Sequence, residues 1–222
     1  MTPKAFLTGL LLACAIGSAS AAEPAADYKM DPELTEKSSD GAIIIEQYMK
    51  TTDDDVMWQF WIRREGTMTL LNAEPAGYPA GFRFTNDLRW LVRMQKTGAG
   101  YSTLYLYKSG AKGFVPATKQ PIGDLAWDYL RKCPEFRKVE KPTFHISTHL
   151  LRGTEENYSL LGVNWPENRY LVLALSGDVD ANRKHHQLSS VHDWRCRYDL
   201  QKGTFDVPAE FARNNAEALV PE

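Results

Sequence analysis

The same strand grammar occurs three times along the chain. Ser39-Asp40-Gly41 leads into the apolar run Ala42 to Ile45, Asn86-Asp87 leads through Leu88-Arg89 into Trp90-Leu91-Val92, and Glu167-Asn168-Arg169 leads into Tyr170 to Leu173. An aromatic strand follows each: Trp58 to Ile62, Leu104 to Tyr107, and Trp194 to Tyr198. Each aromatic strand runs into a charged glycine turn, at Arg64-Glu65-Gly66, Lys108-Ser109-Gly110 and Gln201-Lys202-Gly203. Short closing strands then echo one another in Lys112 to Ala117 and Lys202 to Ala209, both carrying Val-Pro-Ala. Short β-branched and aromatic runs with glycine punctuation bury themselves by pairing with their sequence neighbours. The spacing therefore predicts a mainly β, antiparallel domain over 40–222, with repeat units at about 40–77, 82–120 and 158–210.

Preceding strands are expected at Phe82 to Phe84 and Tyr158 to Trp165. The Asp-then-apolar-strand pattern resembles the blade repeats of TolB-type and related β-propeller proteins, whose blades carry Ser-Pro-Asp-Gly before a strand. Ser39-Asp40-Gly41 matches best, while Thr85-Asn86-Asp87 and Pro166-Glu167-Asn168 lack the glycine. The resemblance implies blade-like meanders and names no active residue. Three unequal units are few for a closed ring, so an open sheet, a sandwich or an incomplete propeller is the expected architecture. One or two short helices interrupt it. Ile122, Leu125, Ala126, Tyr129, Leu130 and Cys133 recur at helical spacing, giving a helix over 124–133 with Asp124 as cap and Pro134 as stop. A second begins at Pro208.

Residues 1–21 read as a signal peptide: Lys4, an apolar run to Gly17, and an Ala19-Ser20-Ala21 cleavage site. The run is shorter than the roughly 20 residues a bilayer span needs. Leu11-Leu12-Ala13-Cys14 resembles a lipobox, but the run ahead of Cys14 is very short for one. Residues 22–39 are polar and contain proline, and are expected to form a flexible arm. The expected location is the periplasm or the medium, with no transmembrane segment after signal removal. Lys and Arg number 26 against 28 Asp and Glu, which argues against nucleic acid as a partner. In an exported chain, the pair left after cleavage, Cys133 and Cys196, is expected to form a disulfide.

Candidate chemistry is sparse. His145 and His149 share a strand face about 13 Å apart, too far for one metal ion. His185, His186 and His192 flank a polar loop and are weak metal candidates. Adjacent imidazoles on extended chain point apart, so neither a metal nor any other cofactor is assigned. Asp178-Val179-Asp180 imitates a calcium loop, but Arg183 stands where the turn needs glycine. Asp53-Asp54-Asp55 reads as a solvated turn, and Gly98-Ala99-Gly100 as a hairpin tip. No recognisable nucleophile motif is present.

The aromatics are the most suggestive residues. Trp61 lies on the strand face opposite Trp58, Phe60 and Ile62, and Tyr101, Tyr105 and Tyr107 alternate along the next aromatic strand. Rows of this kind serve as core or as a stacking platform for sugars and proteins. The expectation is a non-catalytic exported envelope protein that binds a protein or glycan through Trp61, Tyr101, Tyr105 and Tyr107. The alternatives are a periplasmic hydrolase assembled from loops, with His149, His192 and Asp193, or a His-loop metal binder.

Overall fold

The computed structural model describes residues 23–111, 113–151, 169–179 and 190–220. It is mainly β, with two open sheets. The first holds β1 (Lys29–Lys37), β2 (Ile43–Thr51), β3 (Val56–Arg64) and β4 (Thr67–Leu70) in sequence order. The second unit is β5 (Ala80–Phe84), β6 (Trp90–Gly98), β7 (Tyr101–Gly110) and β8 (Gly113–Pro116). The third is β9 (Phe144–Leu150), β10 (Tyr170–Asp178), β11 (Ser190–Asp199) and β12 (Thr204–Asp206), with a terminal β13 (Leu219–Val220) on β11. The last two units share one nine-stranded sheet.

Their fusion has a geometric cause. β8 pairs only with the far half of β7, Tyr107 to Gly110, leaving the near half of that edge open. β9 joins there in parallel, Ser102 opposite Ser147, the one departure from antiparallel pairing among the described strands. Among the described strands, β9 is the one that precedes β10. The strand expected at Tyr158 to Trp165 lies outside the described residues, as do Cys14, His185 and His186.

The repeat is physical at its first two entry turns; Glu167 and Asn168 of the third lie outside the described residues. Ser38 and Thr85 start the same six-residue loop. The Ser38 hydroxyl donates to Asp40 at 2.6 Å and accepts the Ile43 N–H at 2.9 Å. The Thr85 hydroxyl donates to Asp87 at 2.7 Å and accepts the Trp90 N–H at 3.1 Å. The position after each aspartate is left-handed, with Gly41 at φ 72° and Leu88 at φ 55°. The hydrogen-bonded aspartate holds the turn, so a residue other than glycine is tolerated there at some cost in strain.

Two elements correct the sequence reading. The segment expected to be a flexible arm forms β1, pairing with β2 from Lys29 to Lys37, with an irregularity between Asp31 and Glu36. Pro32 falls in that irregular stretch of an edge strand, where a missing N–H is cheapest. Helix α1 (Ile122–Leu130) begins two residues earlier than expected and has Pro121, not Asp124, at its N-cap. Asp124 instead accepts the Thr103 hydroxyl at 2.8 Å, tying the helix to β7. A 3-10 turn at Pro134–Lys138 follows, and α2 (Ala212–Ala218) follows a 3-10 turn at Ala209–Phe211.

There are two cores, one on each side of the β5–β7 sheet. Val92, Leu104 and Leu106 face α1 and share a core with Leu171, Leu173, Trp194, Cys196 and Tyr198. Phe82, Leu91 and Tyr107 face the four-stranded sheet and pack against Ile43, Ile45, Trp58, Phe60 and Ile62. As expected, Trp194, Cys196, Tyr198 and Leu200 are all buried. Asp199 is buried too, although the alternation puts it on the wet face. Burial pushes its carboxyl up, but the Lys202 and Gln201 amides and the Arg169 guanidinium outweigh that and hold it below the ordinary value.

Polar side chains stitch the sheets together. The Gln47 carboxamide accepts the Ala80 N–H at 3.0 Å and donates to the Ala80 and Leu34 carbonyls. Glu36 accepts the Phe82 N–H and pairs with Arg83. The Cys133–Cys196 bridge expected from the sequence is not formed: both are free thiols. Cys133 donates to the Tyr129 carbonyl at 3.6 Å within the helix end, and its side chain packs against the core that holds Cys196.

Candidate functional site

Two clefts gather most of the described residues singled out in the sequence. The first opens between the two sheets and has a volume of about 300 Å³. One wall is the segment after β4. There Asn72 continues the ladder with its side chain, accepting the Phe60 N–H at 2.8 Å and donating to the Trp58 and Glu74 carbonyls. The opposite wall is Tyr105, Leu106 and Tyr107 of β7, and the rim is Pro116 and Thr118 to Pro121 on the way to α1.

At the back of this cleft stands Arg93. It lies directly across the ladder from Tyr105 and from Phe82, in the layer that otherwise holds the apolar core. It is 5% exposed. Its guanidinium carbon sits 3.8 Å from the Tyr105 ring centre, 5.2 Å from Phe60 and 5.9 Å from Tyr107. The rings supply electron-rich faces, which partly replace water around the cation. They satisfy no N–H. Nε and Nη1 are buried without a hydrogen-bond partner, whereas Arg63 spends Nε and Nη2 on Glu46 at 2.9 Å each. Burial pushes the Tyr107 phenol up to about 12, the nearby Arg93 charge working against that and Tyr105 with it. Tyr107 is therefore a neutral wall at physiological pH.

The second cleft lies where β7, β9, β10 and β11 meet, and is lined by Lys96, Tyr101, His145, His149, Asp178 and His192, with Ser147 and Ser176. Here the regular alternation expected of β9 fails. His145 is left-handed at φ 48°, beside a register shift between Ser176 and Asp178. Its Nδ1 lies 3.3 Å from Asp178 Oδ2, while His149 Nε2 lies 3.1 Å from Ser147 Oγ. The serine and the carboxylate thus sit on different imidazoles, where a nucleophilic relay needs one imidazole between them. Asp193 is committed elsewhere, accepting from Arg195 at 2.6 and 3.0 Å. Among the described residues no group of three or more His, Cys, Asp and Glu side chains could hold a metal ion.

The structure divides the expected aromatic set. Tyr105 and Tyr107 line the inter-sheet cleft and Tyr101 the histidine cleft, edge-on to Phe144. Trp61 is buried on the outer face of the first sheet, with Nε1 donating to Gln59 at 3.1 Å. Sequence reasoning missed Arg93. Its signal was a lone arginine between Val92 and Met94 in an apolar run, at a position that alternation assigns to the face shared with Leu91. No helix among the described residues is long and apolar enough to cross a membrane. No protein-family model matches the chain, and no curated protein matches it.

Proposed function

We propose that the chain is a non-catalytic, exported protein of the bacterial envelope that binds a protein or glycan partner, and that the partner enters the inter-sheet cleft. One observation carries this reading. A half-buried tyrosine, Tyr105, and a buried arginine, Arg93, converge on a concave site that the folded chain leaves open. Small-ligand sites commonly combine apolar or aromatic walls with a few fixed polar groups. The signal-like segment 1–21 supports export, and among the described residues of the histidine cleft the serine and the carboxylate pair with different imidazoles.

The test is capture of envelope glycans and proteins by the mature chain, starting near Ala22, compared with its Tyr105→Ala variant. Saturable capture that Tyr105→Ala weakens supports the reading. Equal capture by both proteins, or none by either, overturns it.

A further inference from the structure

We infer that the inter-sheet cleft takes a carboxylate on Arg93 and that the group bearing it is an acidic sugar of a glycan partner. This deepens the binding reading above and rests on it. A guanidinium carries five N–H donors, and a folded protein ordinarily gives buried ones a carboxylate or several carbonyls. Arg93 has neither: no hydrogen bond or ion pair among the described residues reaches its guanidinium, and two of its side-chain nitrogens are sealed from solvent.

The cleft's own charges favour an anion. Arg93 and Lys119 line it against a single carboxylate, Glu74, which is exposed on the wall and does not pair with Arg93. With Nε and Nη1 sealed, an incoming carboxylate would meet the guanidinium at Nη2, gaining a charge-assisted hydrogen bond and the attraction of the buried cation. The walls select what carries it. Tyr105 and the ring of Pro121 offer surfaces for the C–H face of a pyranose, and Asn72, Thr118 and Gln120 add polar groups to the wall and rim. At about 300 Å³ the space suits one sugar unit better than an extended peptide segment.

The experiment titrates the mature chain calorimetrically with an oligosaccharide containing glucuronate. The controls are its neutral glucose counterpart, a glutamate-containing peptide and inorganic phosphate. The expected result is saturable binding of the uronate alone, weakened at least about tenfold by Arg93→Met, which removes the cation. Far-UV circular dichroism identical to the parent shows that the variant folds. Uronate binding undiminished in Arg93→Met overturns the inference, as does equal binding of the neutral sugar or preferred binding of the peptide or phosphate. Capture of a partner that survives Arg93→Met but fails in Tyr105→Ala would sink this inference alone. Loss of all capture by the parent chain would sink the binding reading itself.

Discussion

Replacing Arg93 by Met should make the unliganded protein more stable, the opposite of what removing a structural arginine does. The methionine keeps most of the stem against Phe60 and Tyr105 and removes the cation. Each buried N–H without a partner costs about 1–3 kcal/mol, and Arg93 has two such nitrogens. The change also forfeits the ring contacts of the cation, worth about 0.5–2 kcal/mol. The net expectation is a gain centred near 3 kcal/mol and at most about 5 kcal/mol. For a chain of this size that raises the melting temperature by roughly 2–4 °C per kcal/mol. Urea denaturation followed by tryptophan fluorescence measures it, with the slope compared between variants so that a change in the unfolded state is not mistaken for stabilisation. A drop of more than about 1 kcal/mol in the variant would refute the reasoning, since it would mean that the cation holds the two sheets together.

Other outcomes follow from the same geometry. Gly41→Ala should cost about 1–2 kcal/mol because its φ of 72° is left-handed, and Leu88→Gly should recover part of that strain in the second unit; chemical denaturation of both variants checks the pair. Asp199 accepts the Gln201 and Lys202 amides at 2.9 and 3.0 Å, so Asp199→Ala should cost about 1–3 kcal/mol. Because the folded carboxyl titrates below its ordinary value of 3.8, its contribution is complete above that pH and is lost as the pH falls through the lower, folded value. The Ala variant should therefore show a shallower loss of stability between pH 5 and pH 2, and an unchanged slope would count against the assignment. Burial raises both the Cys133 and Cys196 thiols, so the reduced fold should react slowly with thiol reagents at pH 7. Unfolded without reductant, the chain should show two reactive thiols, as the fold does; finding none would mean that the pair closes in an oxidising compartment.

The three-unit meander was legible in the sequence because its signals are local. Turn chemistry at Ser38 to Gly41 and at Thr85 to Leu88, and alternation in Trp58 to Ile62 and Trp194 to Leu200, depend on neighbours along the chain. The core side of those strands followed from the same alternation. Local signals failed where distant partners decide. The strand Lys29–Lys37 exists because β2 offers a pairing edge, and Leu34 gains a core to pack against, neither of which composition records. Asp199 is buried because Arg169 and a hairpin turn close over it. The separation of Trp61 from Tyr105, and of Tyr101 from both, depends on which sheet covers which face. The cleft itself is wholly tertiary. Arg93 and Asn72 carry no signal of a site in the sequence, and they join Tyr105 in one only where the four-stranded sheet stacks on β5 to β7. A buried cation with no partner is a property of that stacking, because the chain alone cannot say which of its arginines will lose water.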